Sequence, residues 1–150
     1  MEPHFQSILP VRYLQDLEQL VFFNERQREL RGRIAELLEQ YGPLEIVQRE
    51  DQVCVGLIRR PDAQNLFVMS ENTEDAELLG FALYLRDSPD VITVVHVAVF
   101  DGIVTEEGSD PLLALRLLYS IRELARRIRG VKWVSVLYGQ GAQARLPVLT

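Results

Sequence analysis

The sequence predicts an α+β fold, one domain over residues 1–150, from three observations. Apolar residues recur at helical spacing between Leu14 and Tyr41. Runs of period two, or apolar throughout, fill 44–100, and a strand, a long amphipathic helix and a further strand occupy 91–138. The arrangement expected is a mixed, mostly antiparallel sheet with two N-terminal helices and one crossover helix.

Taken in order, Leu14, Leu17 and Val21 share one helical stripe, and Leu30, Ile34, Leu37, Leu38 and Tyr41 form a second. Phe22, Phe23 and Asn24 interrupt the period, Asn24 is a suitable N-cap, and Gly42-Pro43 stops the second helix. Arg26, Arg28, Arg31 and Arg33 mix there with Glu25, Glu29 and Glu36, the pattern of a solvated, salt-bridged face. Strands are predicted at 45–49, 52–58, 65–70, 78–86 and 91–100. The Glu50-Asp51 and Asp87-Ser88-Pro89-Asp90 joints read as hairpin turns, which makes their flanking strands antiparallel. Apolar residues at both parities in 91–100 fit a central strand covered on both faces.

Asp110 followed by Pro111 places an N-cap and a first-turn proline ahead of a helix running to Arg129. Leu113, Leu117, Ile121, Leu124 and Ile128, with Ala114 and Leu118 beside them, form its apolar stripe. Gly130 is the residue expected just past its end, before a strand at 131–138. A strand, helix and strand of these lengths form a crossover, so 91–100 and 131–138 are expected to run parallel. For the short C-terminal tail, 139–150, two readings stand: poor order, or a last edge strand.

With 47% hydrophobic and 25% charged residues, a chain of 150 residues can bury a core without disulfides or a structural metal. Cys54 is the one cysteine and His4 and His96 the two histidines, so a zinc site of four Cys/His ligands cannot be assembled and no metal is expected. A net charge of −6 argues against nucleic acid as a partner. The start, Met1-Glu2-Pro3-His4-Phe5, lacks a basic region leading into an apolar run, and no stretch reaches membrane-spanning length. The expectation is a cytoplasmic protein with no membrane contact.

Two stretches carry a family resemblance. Glu77-Leu78-Leu79-Gly80-Phe81-Ala82-Leu83-Tyr84, with its hydrophobic-Gly-hydrophobic step, and His96-Val97-Ala98-Val99 resemble the third and fourth strands of the GNAT superfamily of acyl-CoA-dependent N-acyltransferases. The resemblance covers about residues 66–138, with the helix and strand after the fourth strand included. It implies a GNAT-like sheet and an acetyl-CoA or other acyl-CoA cofactor, with Val97, Val99, Gly108 and Ser109 as the cofactor-binding positions. Family members carry a Q/R-x-x-G-x-G/A loop whose amides hold the pyrophosphate at a helix N-terminus. Residues 101–110 here read Asp-Gly-Ile-Val-Thr-Glu-Glu-Gly-Ser-Asp, with four acids, no base and no such glycine pair. A roadblock- or longin-like platform has a similar mix of elements, and it would place function on a partner-binding surface.

Chemistry-bearing residues are sparse. Cys54 and His96 are the types needed for a nucleophile and base, but the strand Val53-Cys54-Val55-Gly56-Leu57 favours an inert buried thiol. His96 is a candidate general base, placed on one strand face with Val94 and Ala98, and Tyr138 a candidate acid. Glu71, Glu74, Asp75 and Glu77 read as a solvated turn without calcium-loop spacing. Gly139-Gln140-Gly141-Ala142 lacks the following helix a phosphate loop needs. The resulting expectation is a non-catalytic binding or regulatory module, taking no cofactor and meeting a protein partner or a second copy. The alternative is an acetyl-CoA-dependent N-acyltransferase with an atypical cofactor loop.

Overall fold

Nine strands among the described residues divide into two sheets. The structure is a computed structural model that describes residues 2–22, 40–100, 112–137 and 143–148. In chain order its elements are β1 (His4–Gln6), β2 (Leu9–Pro10), α1 (Leu14–Phe22), β3 (Leu44–Arg49), β4 (Gln52–Leu57), β5 (Gln64–Met69), β6 (Leu78–Ser88), β7 (Val91–Val99), α2 (Leu113–Arg126), β8 (Trp133–Leu137) and β9 (Gln143–Pro147). A 3-10 turn, Val11–Tyr13, leads into α1. Six strands pair in the order β1-β5-β6-β7-β8-β9, and the other three in the order β2-β4-β3.

This corrects the expected single GNAT-like mixed sheet with two N-terminal helices and one crossover helix. Strands hold 46% of the described residues and helices 25%, the two described helices are short, and a separate three-stranded sheet stands beside the large one. The second expected N-terminal helix, capped by Asn24, lies outside the described residues apart from Gln40 and Tyr41, which are helical. The physical cause of the split lies at β4. One sheet would need a backbone ladder between β4 and β5. Instead Val55 N–H donates to Asn65 Oδ1 and Asn65 Nδ2 donates to Val55 O, each at 2.8 Å. The buried Asn65 amide copies a single rung of a ladder and satisfies both main-chain groups. Two tight turns, Arg60 N–H to Leu57 O and Ala63 N–H to Arg60 O, swing the chain out of the β4 plane, and β2 takes the adjacent edge through Leu9 opposite Val53.

The parallel pairing expected of the crossover is present, from Val91 opposite Trp133 to Val94 opposite Val136. The tail supplies an edge strand, β9, antiparallel to β8. Each face of the large sheet has its own core. On one side Phe67, Phe81, Leu83 and Leu85 meet Leu17 and Leu20 of α1 and Val53, Val55 and Leu57 of β4. On the other, Val68, Ala82, Val94 and Val134 meet Leu117, Ile121 and Ala125 of α2. The order of layers is therefore α2, large sheet, then α1 with the small sheet.

Two local features fix how β6 and β7 lie. Gly80 faces Val99, where a Cβ would fall 2.7 Å from Ala98 O, so the strands approach more closely than any side chain allows. At the β6–β7 hairpin, the Arg86 guanidinium donates to Pro89 O and, at 2.9 Å, to Arg129 O. That ties the turn to the segment following α2, where Gly130 adopts φ +91°.

Candidate functional site

The strand β7 carries the first set of candidates. Its register against β6 shifts between Leu83 opposite His96 and Tyr84 opposite Val94, leaving Val95 as a bulge. The extra residue changes the side-chain parity. Val94 joins the core under α2, whereas Val95 and Ala98 join the opposite core, and His96 lies against the Phe81 ring of that core with centroids 5.7 Å apart. His96 therefore shares a face with Ala98 but not with Val94, which corrects the strict alternation predicted. Val97 and Val99 are half-buried against the α2 side. Phe100 N–H donates to Leu79 O at 2.9 Å, so alternation turns the main-chain groups of Val97 and Val99 toward the opposite edge of β7. Among the described residues, the pairing to β8 on that edge ends at Val94, five residues before β7 does.

Cys54 and His96 are not brought together. Val53, Val55 and Leu57 point into the core, so alternation turns Cys54 to the other face of β4, opposite Val47. Burial pushes the Cys54 thiol up from its ordinary value, with Glu45 adding to the shift and Arg49 opposing it, which disfavours the reactive thiolate. Gly108, Ser109 and Tyr138 lie outside the described residues, as do the acidic loop 101–110 and the segment 139–142. The acidic turn after β5 is held by main-chain contacts. Tyr13 Oη donates to Ala76 O at 2.6 Å, Arg12 Nη2 donates to Glu74 O at 2.8 Å, and Glu77 N–H donates to Ser70 Oγ. Among the described residues, no group of three His, Cys, Asp or Glu side chains is placed to hold a metal ion.

A polar cluster that the sequence did not announce sits at the far end of β7. Asp87 Oδ2 accepts from Tyr41 Oη at 2.9 Å and from Thr93 Oγ1 at 3.2 Å, while Asp87 Oδ1 accepts from Arg60 Nη1 at 3.1 Å. Arg60 also pairs with Asp62 at 2.9 Å. Burial, then donation to Asp87, raises the Tyr41 phenol well above its ordinary value, so it stays protonated. Both Asp87 oxygens already accept hydrogen bonds, which leaves it poorly placed to act as a base. The cluster is built to pin Tyr41 and the β6–β7 hairpin together. The members are 46, 27 and 6 residues from Asp87 in the sequence, so no local spacing marks them.

The third site is the outward side of α2. Its inward stripe, Leu113, Leu117, Ile121 and Ala125, is at most 5% exposed. Yet Leu112 is 55%, Leu115 44% and Tyr119 51% exposed. At 100° per residue these three fall within an arc of about 60° on the side of the helix away from the sheet. The sequence held a signal for them: apolar residues left over at i, i+3 and i+7 once the core stripe had been assigned. Arg122 flanks them and donates through Nε to Pro147 O at 2.8 Å, joining α2 to β9.

Comparison of the chain with family models, with curated proteins and with solved structures returns no match. No helix among the described residues is long and apolar enough to cross a membrane.

Proposed function

We propose that this chain is a non-catalytic binding module that meets a protein partner through the outward side of α2. One observation carries the reading: three large apolar side chains stand exposed along one stripe of a helix whose opposite stripe already serves the core. A compact apolar group of this kind gains free energy only when another surface covers it. The candidates for chemistry support the same reading, since the Asp87 cluster is internally paired and Cys54 faces away from the His96 core. A cytoplasmic location, resting on the single cysteine, belongs to the reading, as does a partner that is neither nucleic acid nor membrane.

The test is a photo-crosslinking residue at Leu115 in the full chain, with one at Gln19 on the exposed side of α1 as control, in cells of the source. The expected result is a discrete protein adduct from position 115 that Tyr119→Asp abolishes. Equal adducts from both positions, or none from position 115, overturn the reading.

One observation favours a second reading, acyl-CoA-dependent N-acyl transfer. Among the described residues the pairing to β8 ends at Val94, and the main chain of Val97 faces the same edge of β7 beyond it, which gives a pantetheine-like chain a strand to pair with, with His96 nearby as a base for an amine substrate. Thermal unfolding with acetyl-CoA separates the readings, because a ligand bound only by the folded state raises its stability in proportion to RT ln(1 + [L]/Kd). The binding-module reading expects no shift at millimolar acetyl-CoA. A saturable rise in Tm replaces it with the acyltransferase.

A further inference from the structure

We propose that β3 pairs edge to edge with β3 of a second copy, antiparallel about a two-fold axis at Val47, joining the two three-stranded sheets into one. The inference stands apart from the α2 reading. Both main-chain groups of Val55 bond to Asn65, so β4 turns Gln52, Cys54 and Gly56 toward β3, and their partners Arg49, Val47 and Glu45 turn toward β4. Ile58 N–H, donating to Pro43 O at 3.1 Å, continues the same phase. The main-chain groups of Leu44, Ile46 and Gln48 therefore point out of the sheet edge, and among the described residues none of them meets a partner.

An open edge is a template for another strand unless something blocks it. β9 is blocked by Pro147, which has no N–H and whose carbonyl already accepts from Arg122. β1 and β2 hold only three and two residues. β3 offers six, with no proline among them and no break in its register against β4. Only charge protects it, and that charge selects the partner. Glu45 and Arg49 are exposed, and among the described residues neither side chain has an ion pair or a hydrogen bond. Both share a face of β3 with Val47, turned away from the core. A Cβ at Gly56 on that face would lie 3.6 Å from Val47 Cγ2 and 3.7 Å from Glu45 Cγ.

Outward groups must meet outward groups, so the axis falls on a residue and not between two. With the axis at Val47, Ile46 faces the partner's Gln48 and the two exchange both main-chain bonds. Glu45 then faces the partner's Arg49 on either side of a Val47–Val47 pair, at the closely spaced positions that lack main-chain bonds. Moving the axis to Ile46 sets Glu45 opposite Val47 and Arg49 opposite Pro43. Moving it to Gln48 sets Glu45 opposite Asp51, acid against acid. A parallel pairing in register lays like charges side by side. An acid and a base placed symmetrically about a β-branched centre make the strand complementary to itself, and a second copy supplies that strand.

The test is disulfide trapping in the full chain carrying Cys54→Ala, with every variant checked for unchanged thermal unfolding. Val47→Cys is expected to give a disulfide-linked dimer on mild oxidation, because the Cα atoms of such a pair lie about 4.5 Å apart, within bridging distance. Gln48→Cys is expected to give none, since the partner's Gln48 lies two residues along the strand, beyond the reach of about 7 Å. In sedimentation of the chain with Cys54 intact, Glu45→Arg and Arg49→Glu are each expected to weaken dimerisation about five-fold or more, and the double variant to restore it. No dimer from Val47→Cys, equal trapping from both cysteines, or a monomer at every concentration up to about 1 mM overturns the proposal. So does dimerisation that the single reversals leave unchanged, or a loss that the double variant fails to restore. Self-association abolished by Tyr119→Asp overturns it in favour of a dimer through α2. None of these outcomes bears on the crosslink from position 115.

Discussion

Leu117 and Leu115 lie two residues apart on α2, yet Leu117 is 0% and Leu115 44% exposed. Both are leucines, with the same helix propensity and the same cost of leaving water. What separates them is helical phase: a step of two residues rotates the side chain by about 200°, from the sheet to the opposite side. Leu117 packs with Val68, Ala82, Val94 and Val134, and its burial contributes to folding. Leu115 belongs to neither core cluster. The helix thus has a stripe that holds the fold and a stripe that, under the binding-module proposal, a partner covers.

The separation can be broken most forcefully at its inner side. Leu117→Ala is expected to cost about 3 kcal/mol, the usual loss for truncating a fully buried leucine with incomplete collapse of the cavity, read as a fall in the denaturation midpoint. Gly80→Ala disturbs the sheet beneath the same stripe. Its Cβ would meet Ala98 O at 2.7 Å, and a loss of about 2 kcal/mol is expected as β6 and β7 are forced apart. Arg122→Met keeps the aliphatic stem but removes the bond to Pro147 O, and a loss of about 1 kcal/mol or less is expected, with faster amide exchange in β9. Leu115→Ser, on the outer side, is expected to change stability by about 0.5 kcal/mol or less. An outer substitution that destabilises the chain as much as Leu117→Ala would erase the distinction between the stripes.

The legible parts of the fold were those with a period. The expected strand at 52–58 is β4 at Gln52–Leu57, that at 91–100 is β7 at Val91–Val99, and the inner stripe of α2 carries the predicted Leu113, Leu117 and Ile121. β1 and β2 were not legible, because three and two residues are too few to show any alternation. The partition into two sheets was hidden for another reason. Local pattern says that β4 and β5 are strands but not whether they pair, and the deciding contact is the side chain of Asn65 on Val55. The parity of His96 failed similarly, since one bulged residue, Val95, reverses an alternation that looks unbroken in the sequence. At the candidate site, Leu112, Leu115 and Tyr119 were visible as surplus apolar residues. Their exposure became readable only once the direction of the sheet from α2 was known.

The most direct test of the two-stripe account is the photo-crosslink from position 115 of α2, set beside the one from position 19 of α1. The account predicts a discrete protein adduct from position 115 alone, abolished by Tyr119→Asp. Adducts of equal yield from both positions, or none from position 115, would contradict it.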